Sequence, residues 1–303
     1  MRVSIFHNLS GQESIDQVVA DLDDISTGGF THVWIPQIFG FDALTLIAAV
    51  ADRVPGLTFG TSVVPTYPRH PMMLAQQALT TSAVCDGRLL LGIGLSHQPV
   101  VEGMWGISFD KPVRHLREYL SILMPLLHDR RVSFKGDTLT GRGGIAVVGP
   151  TPPVLVAALG PQMLELAGSR TDGTITWMTG PKTLRAHIAP VLRTAAEKAG
   201  RAVPQIVAGF TVCVTDDVVA ARARIAEEMV IYGQLPSYRA MLDREGLGGP
   251  QDVALVGDEA AVTARLAEIA DAGATEVAIL EVGSAEEVAR TRALLVDVRT
   301  RFG

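Results

Sequence analysis

The 303-residue sequence predicts an α/β fold: one (β/α)8 barrel over residues 1–303, with insertions after strand four and before strand five. Three observations predict it. Short apolar runs alternate with longer amphipathic segments along the whole chain, giving eight strand candidates separated by helix. Residues 22–35 echo residues 266–279: in both, an amphipathic helix, a small-residue stop and a buried strand follow one another. The first strand runs into Phe6-His-Asn-Leu-Ser-Gly11, which lacks the Gly-rich turn that an open dinucleotide-binding sheet would carry there.

The elements follow in order. Residues 3–6 read as strand one, and a helix from about Gln12 to residue 27 places Ile15, Val18, Val19, Leu22 and Ile25 on one face. Gly28-Gly29 ends it, because glycine accepts the left-handed backbone of a helix end. Residues 31–35 form strand two and 41–53 its helix. Residues 57–63 form strand three, and a helix over 71–85 opens with a proline at a tolerated position. Strand four spans 89–94, and its helix spans 112–128. Strand five (153–157) precedes a helix over 162–169, and strand six (172–177) a helix over 181–200. Strand seven covers 205–214, with a long helical region from Asp216. Strand eight covers 275–281, before a last helix over 285–301.

Two stretches break the rhythm. Residues 95–111 are a long link after strand four. Residues 132–152 read as a hairpin-like insertion, with Val132-Ser-Phe and Ile145-Ala-Val-Val around Gly141-Arg-Gly-Gly144. Loops of this length in a compact domain are often lids or binding loops. Residues 232–250 either cover the site or pack at the barrel bottom.

Composition narrows the function classes. With 48% hydrophobic residues the chain is globular, and 26 basic against 32 acidic residues give a net charge of -6. Lys and Arg are scattered, so no nucleic-acid footprint emerges. Cys85 and Cys213 have no metal-ligand spacing and read as buried thiols. The N-terminus turns polar too early for a signal peptide, and no apolar run nears the roughly 20 residues that span a membrane. A cytoplasmic protein acting on a small molecule is expected.

In a barrel the site forms from the loops after the strands. Here those loops carry His7 and Asn8, then Pro36, Gln37 and Phe39, then Ser62 to His70. Gly94-Leu-Ser-His-Gln98 follows strand four, with Glu102 and Trp105 beyond; Leu159-Gly-Pro-Gln162 follows strand five and Trp177-Met-Thr-Gly180 strand six. Carboxylates are scarce, so a two-carboxylate glycosidase is poorly supported. His7, His70 and His97 lack metal-ligand spacing, so no metal is expected. Trp105, Trp177, Phe39 and Tyr67 are candidates to wall a flat ligand, although Trp177 serves equally well as a barrel-core cap. Gly160-Pro-Gln-Met-Leu164 offers free amides at a helix start, a phosphate-sized anion site. Flat ligand plus phosphate reads as a nucleotide-like or flavin-like cofactor. His97, after a Gly-x-Gly turn, is the candidate proton donor or acceptor. His32 reads as satisfied by a neighbouring helix, while His115, His128 and His187 are expected to face solvent or a partner.

These residues carry a resemblance to the luciferase-like monooxygenase superfamily, and within it to the branch dependent on the deazaflavin coenzyme F420. The similar pieces are Phe59-Gly-Thr-Ser-Val-Val-Pro65 with Arg69-His-Pro71, Gly87-Arg-Leu-Leu-Leu-Gly-Ile-Gly94, Arg117-Glu-Tyr-Leu120, and Ala158-Leu-Gly-Pro-Gln-Met163 leading to Ala167-Gly-Ser-Arg-Thr-Asp-Gly173. The resemblance implies a TIM barrel that binds F420 at the strand C-termini, with a non-proline cis peptide at Ser62–Val63 beneath the ring. It implies a phosphate carried by Gly160, Pro161, Gln162 and Met163, with Trp177 and Thr179 nearby and Pro36, Ser62, Val63, Gly94 and Ser96 around the ring. It implies hydride transfer to or from an organic substrate, with His97, assisted by His7, moving the proton. Related sugar-phosphate dehydrogenases carry a histidine after strand two where this chain has Pro36-Gln-Ile-Phe39, which argues against that reaction. Two alternatives stand beside this: an FMN-dependent monooxygenase, and a flavin-binding protein without turnover. The resemblance also implies a homodimer paired through helices near strands two and three, in which Tyr67 to His70 contact the rim or a partner. The helix at Pro71 packs as well on its own barrel.

Overall fold

The computed structural model of the protein describes residues 1–7, 9 and 14–302, so Asn8 and the expected helix start at Gln12 lie outside the described residues. Eight parallel strands close into a barrel: Arg2–Phe6, His32–Ile35, Thr58–Thr61, Leu89–Gly94, Val154–Ala157, Gly173–Trp177, Gln205–Val214 and Glu276–Glu281. Each pairs with the next, and strand eight pairs with strand one through Val3 and Val277. The runs are apolar on both faces because helices cover the outside and side chains fill the inside.

The two-residue alternation of each strand divides the core. Trp34, Leu90, Leu155, Ile175, Val207 and Ala278 fill the barrel interior, with Phe6, Val63 and Ala157 packed on them. Val33, Phe59, Leu91, Val156, Ile206 and Val277 point outward into the larger cluster shared with the helices. Gly60 makes room for the largest inner side chain, since a Cβ there would lie 2.3 Å from Trp34 Cε3. Trp34 Nε1 donates to Glu276 Oε1 at 2.6 Å, and Arg2 Nη1 donates to Glu276 Oε2 at 2.9 Å. The interior end nearest the N-terminus is therefore plugged by a buried, fully paired carboxylate.

The departures from the sequence-based expectation are local. Strand three stops at Thr61; the Ser62–Val63 peptide bond is cis, and Val64–Pro65 then rejoins strand four opposite Ile93 and Gly94. The hairpin insertion is real, but its second strand is Thr140–Gly144 against Arg131–Lys135 and excludes residues 145–148. Gly141 lies so close to the helix beneath that a Cβ would sit 2.6 Å from Ile122 Cγ2, a contact that no apolar side chain permits. Glu118 accepts from the amides of Asp137, Thr138 and Leu139 at 2.9 Å and so fixes the hairpin tip.

Beyond strand seven the long helical region is an insertion of four helices, Val218–Glu228, Val230–Gln234, Pro236–Glu245 and Pro250–Val253. A short strand, Leu255–Gly257, then pairs with Val212–Val214 before the helix Glu259–Asp271. The helix after strand six contains a π turn, Leu184–Ile188, which turns His187 inward. His187 and, on the helix after strand four, His115 are buried and bonded within the chain, against the expectation that they face solvent or a partner. His187 Nε2 donates to Leu159 O at 2.8 Å, and His115 Nε2 lies 3.0 Å from Thr66 Oγ1.

Candidate functional site

The C-terminal strand ends surround a floor of apolar surface. Trp177, at the end of strand six, meets Phe6 with ring centroids 5.2 Å apart and lies against Gly209, where a Cβ would be 2.6 Å from Trp177 Cε3. Val63 packs beside it, and a Cβ on Gly94 would fall 2.6 Å from Val63 Cγ2 and 3.1 Å from Ala157 Cβ. Phe6, Val63 and Ala157 pack on the inner cluster, Gly94 adjoins Val63 and Ala157, and Trp177 adjoins Phe6, so these five tile the top of the barrel without a charge. Trp177 Nε1 and Thr211 Oγ1 are buried there without a hydrogen-bond partner among the described residues. An orphaned polar atom costs about 1–3 kcal/mol, so each is a place for a ligand atom to bond.

His97 stands on the rim. Ser96 before it has φ 61°, a left-handed backbone that non-glycine residues adopt rarely. His97 then occupies the N-cap of the helix Gln98–Gly103 without capping it. Glu102 ties the following loop by accepting from Gln98 Nε2 at 2.9 Å and Phe109 N at 3.1 Å. The imidazole lies 5.7 Å from the Tyr238 ring and 6.5 Å, edge-on, from Tyr232. Tyr232 in turn is 5.3 Å from Tyr238 and 6.3 Å from Trp177. Residues 232–250 therefore cover the mouth, not the barrel bottom. Burial lowers the His97 pKa below its ordinary value, so the ring is neutral at pH 7 and can accept a proton.

Gly160 begins the helix Pro161–Arg170 in an extended conformation with no side-chain cap, and its amides stay open. Pro161 and Gln162 are exposed and Met163 is half-buried. The His187 bond to Leu159 O holds the loop just before this helix start. The neighbouring helix start is different. Thr179 is fully buried and donates to Trp177 O at 3.3 Å, while Glu245 Oε1 accepts from Thr183 N at 2.6 Å. That helix is already served by a carboxylate of the chain itself.

Pro36 and Ser62 sit on adjacent strand ends, with Ser62 N donating to Ile35 O at 2.8 Å, and adjoin Val63. His7 stands beside them, its backbone N–H donating to Trp34 O at 2.9 Å, but its side chain turns toward the first helix. Its Nε2 lies 3.9 Å from Asp21 Oδ2 on the first helix, and its pKa is lowered by burial, with Asp21 opposing and Arg292 adding to the shift. Tyr67 stacks on His115 at 3.9 Å and on Phe109 at 5.2 Å, and Arg69 pairs with Asp42 and Gln77. These side chains brace the loop from within. Phe39 is exposed and Trp105 half-buried on the outer loops. Among the described residues no three His, Cys, Asp or Glu side chains group to hold a metal, and no helix is long and apolar enough to cross a membrane. Sequence reading missed Thr211, Tyr232 and Tyr238. The alternation Val207, Gly209, Thr211 on strand seven was the available signal for the first, while nothing local marked the two tyrosines.

The family model described as luciferase-like monooxygenase matches residues 2–297. The 5,10-methylenetetrahydromethanopterin reductase of Methanolobus tindarius is 28% identical over 205 residues, covering 67% of this chain and 62% of that protein. The chain thus matches less than two thirds of that relative's length. The coenzyme F420-dependent tetrahydromethanopterin reductase from Methanopyrus kandleri superposes with a TM-score of 0.82 at 18% identity, over 100% of this chain and 99% of that one. The oxygenating constituent of 3,6-diketocamphane monooxygenase from Pseudomonas putida, in complex with FMN, gives 0.77 at 19% identity over 99% and 96%.

Proposed function

Since the chain belongs to the luciferase-like monooxygenase family, we propose that it is an F420-dependent oxidoreductase moving a hydride between the deazaflavin and a small organic substrate. The observation that carries this is the pairing of an uncharged aromatic floor with an open helix start at Gly160, one suited to a flat ring and the other to a phosphate. Phe6, Val63, Gly94, Ala157 and Trp177 would hold the ring, with Pro36, Ser62 and Ser96 at its edge. Trp177 Nε1 and Thr211 Oγ1 offer it hydrogen bonds. Gly160 to Met163 would hold the phosphate, with Thr179 supporting the loop beside it. F420, when bound, supplies hydride chemistry with oxygen activation disfavoured.

The chain's own part is placement and proton handling. His97, neutral through burial, accepts the substrate proton during oxidation and returns it during reduction. His7, held near Asp21, serves this step only through the packing of strand one. The FMN-complexed structural neighbour favours a second reading, an FMN-dependent monooxygenase on the same floor. Titration with F420 and with FMN separates the two: F420 should bind the tighter, and tight FMN binding with negligible F420 binding would overturn the proposal. We further propose a cytoplasmic homodimer paired through helices near strands two and three; the exposure of Met73 (57%) on the helix Pro71–Val84 supports that helix as part of the contact. Sedimentation of the wild type and of Met73→Glu tests the pairing, which a monomeric wild type would exclude.

A further inference from the structure

We propose that Tyr232 and Tyr238, both on the insertion after strand seven, form the substrate-facing wall of the site opposite His97 and restrict it to small, uncharged substrates. This rests on the oxidoreductase reading above. The two rings stand nearly perpendicular, at 83° and 5.3 Å, and both approach His97. Tyr232 also reaches Trp177 at 6.3 Å, so the wall joins the floor. The wall is anchored. Glu245, at the far end of the Tyr238 helix, accepts from Thr183 N, and Lys182 Nζ donates to Glu245 O at 3.2 Å. Arg239, next to Tyr238, is turned away and donates to Asp243, Leu247 O and Gly248 O.

The absence of charge gives the selectivity. The rings that meet here, His97, Tyr232, Tyr238 and Trp177, include no carboxylate, ammonium or guanidinium, and the charged neighbours on the Tyr238 helix, Arg239 and Glu245, are already engaged with Asp243, Leu247 O, Gly248 O and Thr183 N. A carboxylate or phosphate on the substrate would enter a desolvated space with no counter-ion, at a cost that a neutral ketone or alcohol avoids. Both phenols are protonated at neutral pH, and each can donate its O–H to a neutral substrate oxygen.

The probes are cyclohexanone and cyclohexanecarboxylate, similar in shape and different in charge. Each is titrated by calorimetry into the purified protein with and without F420. The wild type should bind cyclohexanone and reject the carboxylate. Tyr232→Leu and Tyr238→Leu should weaken cyclohexanone about tenfold while F420 affinity stays within about twofold. Tyr232→Lys should reverse the preference, a gain that does not depend on losing a fold contact. Unchanged cyclohexanone affinity in both leucine variants, or equal binding of the two probes by the wild type, overturns the wall. Failure of F420 to bind the wild type counts against the cofactor assignment alone, because the cofactor-free titration still decides the wall.

Discussion

Gly160→Asp should stabilise the protein and abolish its grip on a phosphate-bearing cofactor. Gly160 is the N-cap of an uncapped ten-residue helix at φ -76° and ψ 153°, and a Cβ added there meets no atom within 4 Å. An aspartate fits that backbone and can accept from the amide two or three residues on. Over glycine the cap gains a few tenths of a kcal/mol, and the carboxylate gains about 0.3–1 kcal/mol from the helix dipole. Restricting the unfolded chain adds about 0.4–1 kcal/mol. The sum is about 1–2 kcal/mol, or roughly 2–4 °C in Tm for a chain of this size. The same carboxylate takes up amides that a phosphate would use, and hydrogen bonds to a charged group are worth about 1.5–3 kcal/mol each. Losing two raises the Kd of F420 about a hundredfold or more. Thermal melts and F420 titration at fixed ionic strength measure both effects, with the phosphate-free deazaflavin as a control that should bind unchanged. A more stable variant whose F420 Kd stays within threefold would refute the placement of the phosphate.

Three further outcomes are expected. His97→Asn should lower turnover about a hundredfold or more at saturating F420 without changing F420 affinity. Because burial depresses the His97 pKa, wild-type oxidation should hold its rate below pH 6.5 and fall only at more acidic pH, and the variant should lose that fall; an unchanged rate and profile would remove His97 from the step. Burial holds His115 at about 4 against 6.5, so the unfolded chain takes up this proton first and stability drops as pH falls from 6.5 to 4. The full shift is worth about 3 kcal/mol, or about 2 after allowing for water near the ring, and urea unfolding of His115→Phe should show a shallower decline over that window. Gly60→Ala drives a methyl to within 2.3 Å of Trp34 and should cost about 1–3 kcal/mol; an unchanged Tm would mean that Trp34 is looser than its packing indicates.

The barrel was legible because its strands are continuous apolar runs: Leu89–Gly94 and Gln205–Val214 were read to the residue. The floor was legible for the same reason, since closing the barrel brings Val63, Gly94 and Trp177 to one end whatever their separation in sequence. The insertion after strand seven was not. Its helices are short, and Gly233, Pro236, Gly246 and Pro250 interrupt the periodicity before it can declare a face. Tyr232 and Tyr238 reach His97 through tertiary packing alone. His115 could have been placed inside, because Tyr119 and Ile122 continue its face at helical spacing. His187 could not, because the π turn shifts it off the 3.6-residue period.

The three tryptophans stand at three levels: Trp34 sealed in the lower barrel with its N–H on Glu276, Trp177 at the mouth with its N–H unclaimed among the described residues, and Trp105 on the outer loop. The intrinsic emission of this protein is thereby layered. Trp34, shielded from water, emits toward the blue and tracks the integrity of the barrel, whereas a flat chromophore bound on the proposed floor would quench Trp177. Quencher reaching from solvent meets Trp105 first and Trp34 last, so one spectrum separates loop motion, occupancy of the mouth and collapse of the core.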